Sequence, residues 1–99
     1  MTPQNYDDFT RTLTEEMPDT EWPLALQALW YASNNDWEAS HDIAQDLHAP
    51  IGSWIHAHLH RAEGDKFNAD YWYRLAGKPF PSLSIQDEIK EIIESLLSK

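Results

Sequence analysis

Three of the chain's five histidines, His56, His58 and His60, alternate within one short stretch. On a helix His56 and His60 lie one turn apart and share a face, with Glu63 near that face three residues on. Two imidazoles and a carboxylate could offer three donors to zinc, iron or nickel. His56, His60 and Glu63 are therefore the metal-ligand candidates by spacing. The zinc-protease pattern, however, needs a glutamate directly after the first histidine, and Ala57 stands there. No metalloprotease is read from this stretch, and no cofactor is expected.

The same region concentrates other groups able to bind a ligand. Arg61 is one of only seven basic residues in the chain, and it or Arg74 could clamp a carboxylate. Trp54, Tyr71 and Trp72 could wall a pocket, although aromatics at helical spacing usually fill a core. His41 and Gln45, upstream, complete a candidate patch of His41, Gln45, Trp54, His56, His58, His60, Arg61, Glu63, Tyr71 and Trp72. A catalytic reading ranks last. His41 and Asp42 are adjacent and diverge on a helix. No serine sits in a glycine-flanked nucleophile turn, and the three glycines, Gly52, Gly64 and Gly77, form no phosphate loop.

These residues must be held by helices, because valine is absent and no segment alternates like a strand. Tyr6, Phe9, Leu13 and Met17 predict a first helix from Tyr6 to Met17, capped by Asn5 and ended by Pro18. Thr20 should cap a second helix with Glu21, Trp22 and Pro23 in its first turn, followed by a nearly all-apolar run from Leu24 to Ala32. Ser33-Asn34-Asn35 breaks it. Asp36 caps a third helix, Trp37 to Leu47. A fourth runs from Ile51 to Glu63 and closes at Gly64. Asp65 caps a fifth, Lys66 to Ala76, before the rigid turn from Gly77 to Pro81. Ser84 and Asp87 have capping-box spacing. Beyond them Ile85, Ile89, Ile92, Ile93, Leu96 and Leu97 form one apolar stripe, with Asp87, Glu88, Lys90, Glu91 and Glu94 outside it.

The second to fifth of these helices contain an internal echo. At a shift of 29 residues Ala28 falls on Ala57, Trp30 on Leu59, Ser40 on Ala69, and the turn Asn35-Asp36 on Gly64-Asp65. The second unit resembles a tetratricopeptide repeat through Ala57, Gly64, Ala69, Tyr73, Ala76 and Pro81. Small residues let two antiparallel helices approach and glycine makes the turn. The first unit keeps only Ala28, Tyr31 and Ser40, with Asn35 where glycine is usual. The resemblance implies two helix-turn-helix units, closed by the first and last helices as caps. More locally, the run from Trp54 to Asp65, with Asn68-Ala69 and Tyr71-Trp72-Tyr73-Arg74, resembles a family of small uncharacterised bacterial and fungal proteins. Asp36-Trp37-Glu38, His41 and Gln45 resemble its upstream element. That likeness implies architecture and no mechanism.

Two orientations of the fourth helix stay open. The tetratricopeptide register turns His56 and His60 toward Ala69, Trp72 and Tyr73, with His58 in a groove beside Trp54 and Arg61. A plain helical wheel buries Ile51, Trp54, Ile55, His58, Leu59 and Ala62 and leaves His56 and His60 at the edge.

Seventeen acidic against seven basic residues give a net charge of −10. This disfavours phosphate backbones and anionic lipid and favours neutral or basic partners. The absence of cysteine removes disulfides and thiol chemistry. No signal peptide or membrane span is read, so the cytoplasm is the default. The expectation is a single all-α domain of about six helices spanning residues 1–99. As a function it suggests a non-catalytic module for a protein or peptide, or for a second copy through the outer side of the last helix. A small-ligand or metal-binding protein is the alternative.

Overall fold

Helix α4 (Pro50–Ala62) is the element around which the others are arranged. Seven of its thirteen residues are buried, from Gly52 to Leu59, so its apolar surface runs most of the way round and demands neighbours on several sides. It packs against α5 (Lys66–Ala76), α3 (Trp37–Ala44), α6 (Ile85–Leu97) and α2 (Leu24–Ser33). The short α1 (Tyr6–Arg11) leans on α6. The computed structural model describes residues 2–98; those residues form six α-helices and one 3₁₀ turn, with no strand among them.

The hairpins close as the turn chemistry requires. Asp36 and Asp65 each accept the backbone N–H three residues on, from Ala39 and Asn68, at 3.1 Å. The residues before them, Asn35 and Gly64, take positive φ values of 63° and 89°, which asparagine and glycine tolerate best. Ser84 caps α6 through the Asp87 N–H at 3.0 Å. Ala28, Ala57 and Ala69 are fully buried within the core. Where the connection after α3 meets the first turn of α4, Gly52 has no room for a side chain. A Cβ there would overlap the Leu47 carbonyl oxygen and stand 2.5 Å from the Leu47 Cβ.

Several boundaries differ from the sequence expectation. The first helix ends at Arg11 and becomes a 3₁₀ turn, Thr12–Thr14. Two carbonyls there take donors from α2 and its C-cap: Trp30 Nε1 donates to Thr12 at 3.1 Å and Asn34 Nδ2 to Leu13 at 3.2 Å. Met17, beyond the turn, is left 56% exposed. The second helix starts at Leu24 with Pro23 as its cap, because Asp19 instead folds Thr20 to Trp22 into a turn by accepting from the Glu21 N–H at 2.8 Å. Helix α3 stops at Ala44, three residues early. On α6 the expected stripe holds for Ile89, Ile92 and Ile93, but Ile85 is exposed and Glu88, expected outside, is 1% exposed. The outer side of α6 is polar, with Gln86, Asp87, Lys90, Glu91 and Glu94 all exposed. Of the exposed apolar residues, Phe67, Tyr71 and Leu75 share α5 and face out.

Candidate functional site

Both buried histidines of α4 sit in polar arrangements, on different sides of the helix. His58 turns toward α6. Its Nδ1–H donates to Glu88 Oε1 at 2.7 Å, and Arg61 Nη1 donates to the same oxygen at 3.0 Å. Tyr73 Oη–H and Trp54 Nε1–H donate to Glu88 Oε2 at 2.6 and 3.3 Å. Arg61 also donates to the Leu83 carbonyl. Burial alone would push the Glu88 carboxyl up, but the hydrogen bonds from His58, Tyr73 and Arg61 hold it below the usual range. Burial, and then the hydrogen bond to Glu88, push the Tyr73 phenol well above its ordinary value. Glu88 is thus an ionised, four-coordinated tie between α4, α5 and α6.

His56 turns the other way, toward α3 and α5. It stacks on Trp72 with ring centroids 3.8 Å apart and planes 15° apart. His41 meets it edge-on at 4.4 Å, and His60 lies 4.9 Å from it in near-parallel planes. One ring nitrogen from each of His41, His56 and His60 lies within 4.8 Å of the others. Trp37 stacks on His41 at 4.6 Å, meets His60 edge-on at 5.7 Å, and is itself fixed by donating to the Leu59 carbonyl at 2.7 Å. Burial, then the neighbouring His41 and His60, lower His56 to about 4. Burial and His60 lower His41 as well. The His56 Nδ1 is buried and has no hydrogen-bond partner. His60 Nδ1 pairs with Glu63 Oε2 at 2.8 Å, and Asp65 lies 4.0 Å away.

A cleft of about 290 Å³ opens beside this cluster. Tyr6, Leu13 and Ile89 give it apolar walls. Ser33, Asn35, Gln86 and Glu63 supply polar groups, and His58 and Trp37 border it from the side of the two histidine arrangements.

The expected patch is therefore partitioned. His41, His56, His60 and Trp72 come together, with Glu63 attached through His60. Tyr71 is an exposed neighbour, edge-on to Trp72 at 5.2 Å. Trp54, His58 and Arg61 belong to the Glu88 tie, and Gln45 is an exposed C-cap of α3. Neither orientation of α4 is complete. His56 faces Trp72 as the repeat register expects, while His58 is buried as the wheel expects and Ala62 is exposed. Two groups were missed. Glu88 carried no signal, being one acid in an acidic helix. Trp37 carried a faint one: a tryptophan at the first position of a helix, one turn before His41. No family model matches the chain, nor does any curated protein or solved structure.

Proposed function

We propose that this chain is a non-catalytic interaction module that takes a basic side chain of a peptide partner into the cleft between α1, α2, α4 and α6. The observation that carries the reading is the cleft itself, lined from α1, the 3₁₀ turn, α2, α3, α4 and α6 on a chain of net charge −10. At about 290 Å³ it is at the small end of ligand pockets and suits one long side chain better than a drug-sized molecule. Glu63 gives it a carboxylate, and Tyr6 and Trp37 give it aromatic walls, a combination that attracts ammonium or guanidinium. The charge of the whole chain adds long-range attraction for a basic partner. The resemblance to tetratricopeptide hairpins, which present grooves to peptides, points the same way.

The test is fluorescence polarisation with two labelled twelve-residue peptides that differ only in a central Arg or Glu. The Arg peptide should bind more tightly, and its affinity should fall as salt is raised. Filling the cleft by Gln86→Trp, or separately by Ser33→Trp, should abolish that binding. Equal affinity for the two peptides, or indifference to both fillings, would refute the reading. So would sedimentation showing that a second copy occupies the cleft.

A further inference from the structure

The histidine cluster is a separate reading from that of the cleft: none of its three ligands lines the cleft, and only Glu63 and Trp37 border both. We propose that His41, His56 and His60 form a binding site for a late first-row divalent metal ion such as Zn²⁺, Co²⁺, Ni²⁺ or Cu²⁺. Three imidazoles reach one point from two helices: His41 from α3, His56 and His60 from successive turns of α4. With metal–nitrogen bonds of about 2.0–2.1 Å, a tetrahedral ion needs its nitrogens roughly 3.4 Å apart. Nitrogens within 4.8 Å of one another reach that spacing by ring shifts on the order of 1 Å.

Three further features fit this assignment. His56 is 4% exposed with its Nδ1 unpartnered. A buried polar atom left so costs roughly 1–3 kcal/mol, and coordination at that nitrogen would supply its partner. His60 Nδ1 faces the Glu63 carboxylate at 2.8 Å. That pairing places the proton on Nδ1 and leaves Nε2 with its lone pair, as in carboxylate–histidine–metal arrangements. Trp37 and Trp72 stack on His41 and His56, which fixes the rings and shields them from water. Imidazole donors favour the late transition ions over Mg²⁺ and Ca²⁺, which prefer oxygen. Three protein ligands leave one coordination position for water or a small anion.

The experiment uses the untagged full chain, stripped with EDTA and titrated with Co²⁺ at pH 7.5. Visible d–d absorption should saturate at one equivalent, and Zn²⁺ should displace it. Cu²⁺ should quench the tryptophan fluorescence with the same stoichiometry, since Trp37 and Trp72 touch the ligand rings. His41→Gln, on the half-buried α3 ligand, should weaken binding at least tenfold with the helical circular dichroism unchanged. His56→Phe, which preserves the stack on Trp72, should do the same. Glu63→Gln should weaken binding about 10–100-fold as a positioning residue, whereas His48→Ala, an exposed histidine outside the cluster, should leave it unchanged. Absence of a saturable cobalt spectrum, or full affinity in both His41→Gln and His56→Phe, would overturn the assignment. Loss of Arg-peptide binding in the cleft would leave it intact.

Discussion

Tyr73 on α5 donates its hydroxyl proton to Glu88 of α6 across 2.6 Å, inside the core. The contact joins an aromatic to an acid buried alongside Ile89, Ile92 and Ile93 of α6, where a hydrophobic residue would be usual. Arg61 neutralises the charge at 3.0 Å, and His58 and Trp54 complete its coordination. The network couples helices that hydrophobic contact alone would leave free to slide, because each donor must meet one of two oxygens.

Removal of the acid should therefore be severe. Glu88→Ala leaves Arg61, His58, Tyr73 and Trp54 without their acceptor, and breaking a buried ion pair typically costs about 3–5 kcal/mol. For a chain of this size that lowers Tm by more than about 10 °C. Glu88→Gln keeps the shape and one acceptor and should lose less. Urea denaturation of the two variants checks this; a loss below about 1 kcal/mol in Glu88→Ala would show that the tie contributes little.

Acid should weaken the metal-free protein in two separable steps. His56 has its folded value lowered from 6.5 to about 4, so between these values the unfolded chain binds a proton that the folded chain refuses. Stability then rises with pH across that window and is complete above 6.5. The shift corresponds to about 3 kcal/mol in full. Glu88, lowered from 4.5, acts further down: its contribution is present above its unfolded value and is lost as pH falls through its folded one. Urea midpoints from pH 7.5 to 4.5, with EDTA present, should fall in wild type and stay flatter in His56→Gln. An equal slope in both would exclude His56 as the source.

How far the sequence could be read follows from the range of the forces involved. Local signals were legible: Asp36, Asp65 and Ser84 cap where their side chains can reach a near N–H, and α5 runs from Lys66 to Ala76 as its caps require. Long-range competition was not. Just past the end of the first helix, Trp30 and Asn34, from a distant stretch of chain, donate to the carbonyls of Thr12 and Leu13. Glu88 is buried because Arg61 and His58 wait for it some thirty residues earlier. In the candidate site the pairing of His56 with His60 was visible as one helical turn. The convergence of His41 depended on how α3 packs on α4, which periodicity does not encode.

Two glycine substitutions should separate crowding from backbone strain. Gly52→Ala would drive a Cβ into the Leu47 backbone, and overpacking of this kind costs about 1–3 kcal/mol or more. Gly64→Ala meets open space, but at a φ of 89°, which L-residues adopt at a cost of roughly 1–2 kcal/mol. Thermal melts should show Gly52→Ala as the more damaging of the two. The reverse order would mean that the connection around Leu47 relaxes easily.

Coupling between Tyr73 and Glu88 offers a test that a purely steric role would fail. Tyr73→Phe keeps the ring, including its edge-on contact with Phe80 at 5.2 Å, and removes only the hydroxyl that bonds the acid. A hydrogen bond to a charged group is worth about 1.5–3 kcal/mol, so the single variant should lose stability in that range. In the Glu88→Ala background the hydroxyl has already lost its acceptor, and the same change should cost far less. The cycle should therefore return an interaction energy on the order of 1–2 kcal/mol. Strictly additive losses would mean that Tyr73 stabilises the fold through its ring, and that Glu88 is held by Arg61 and His58 alone.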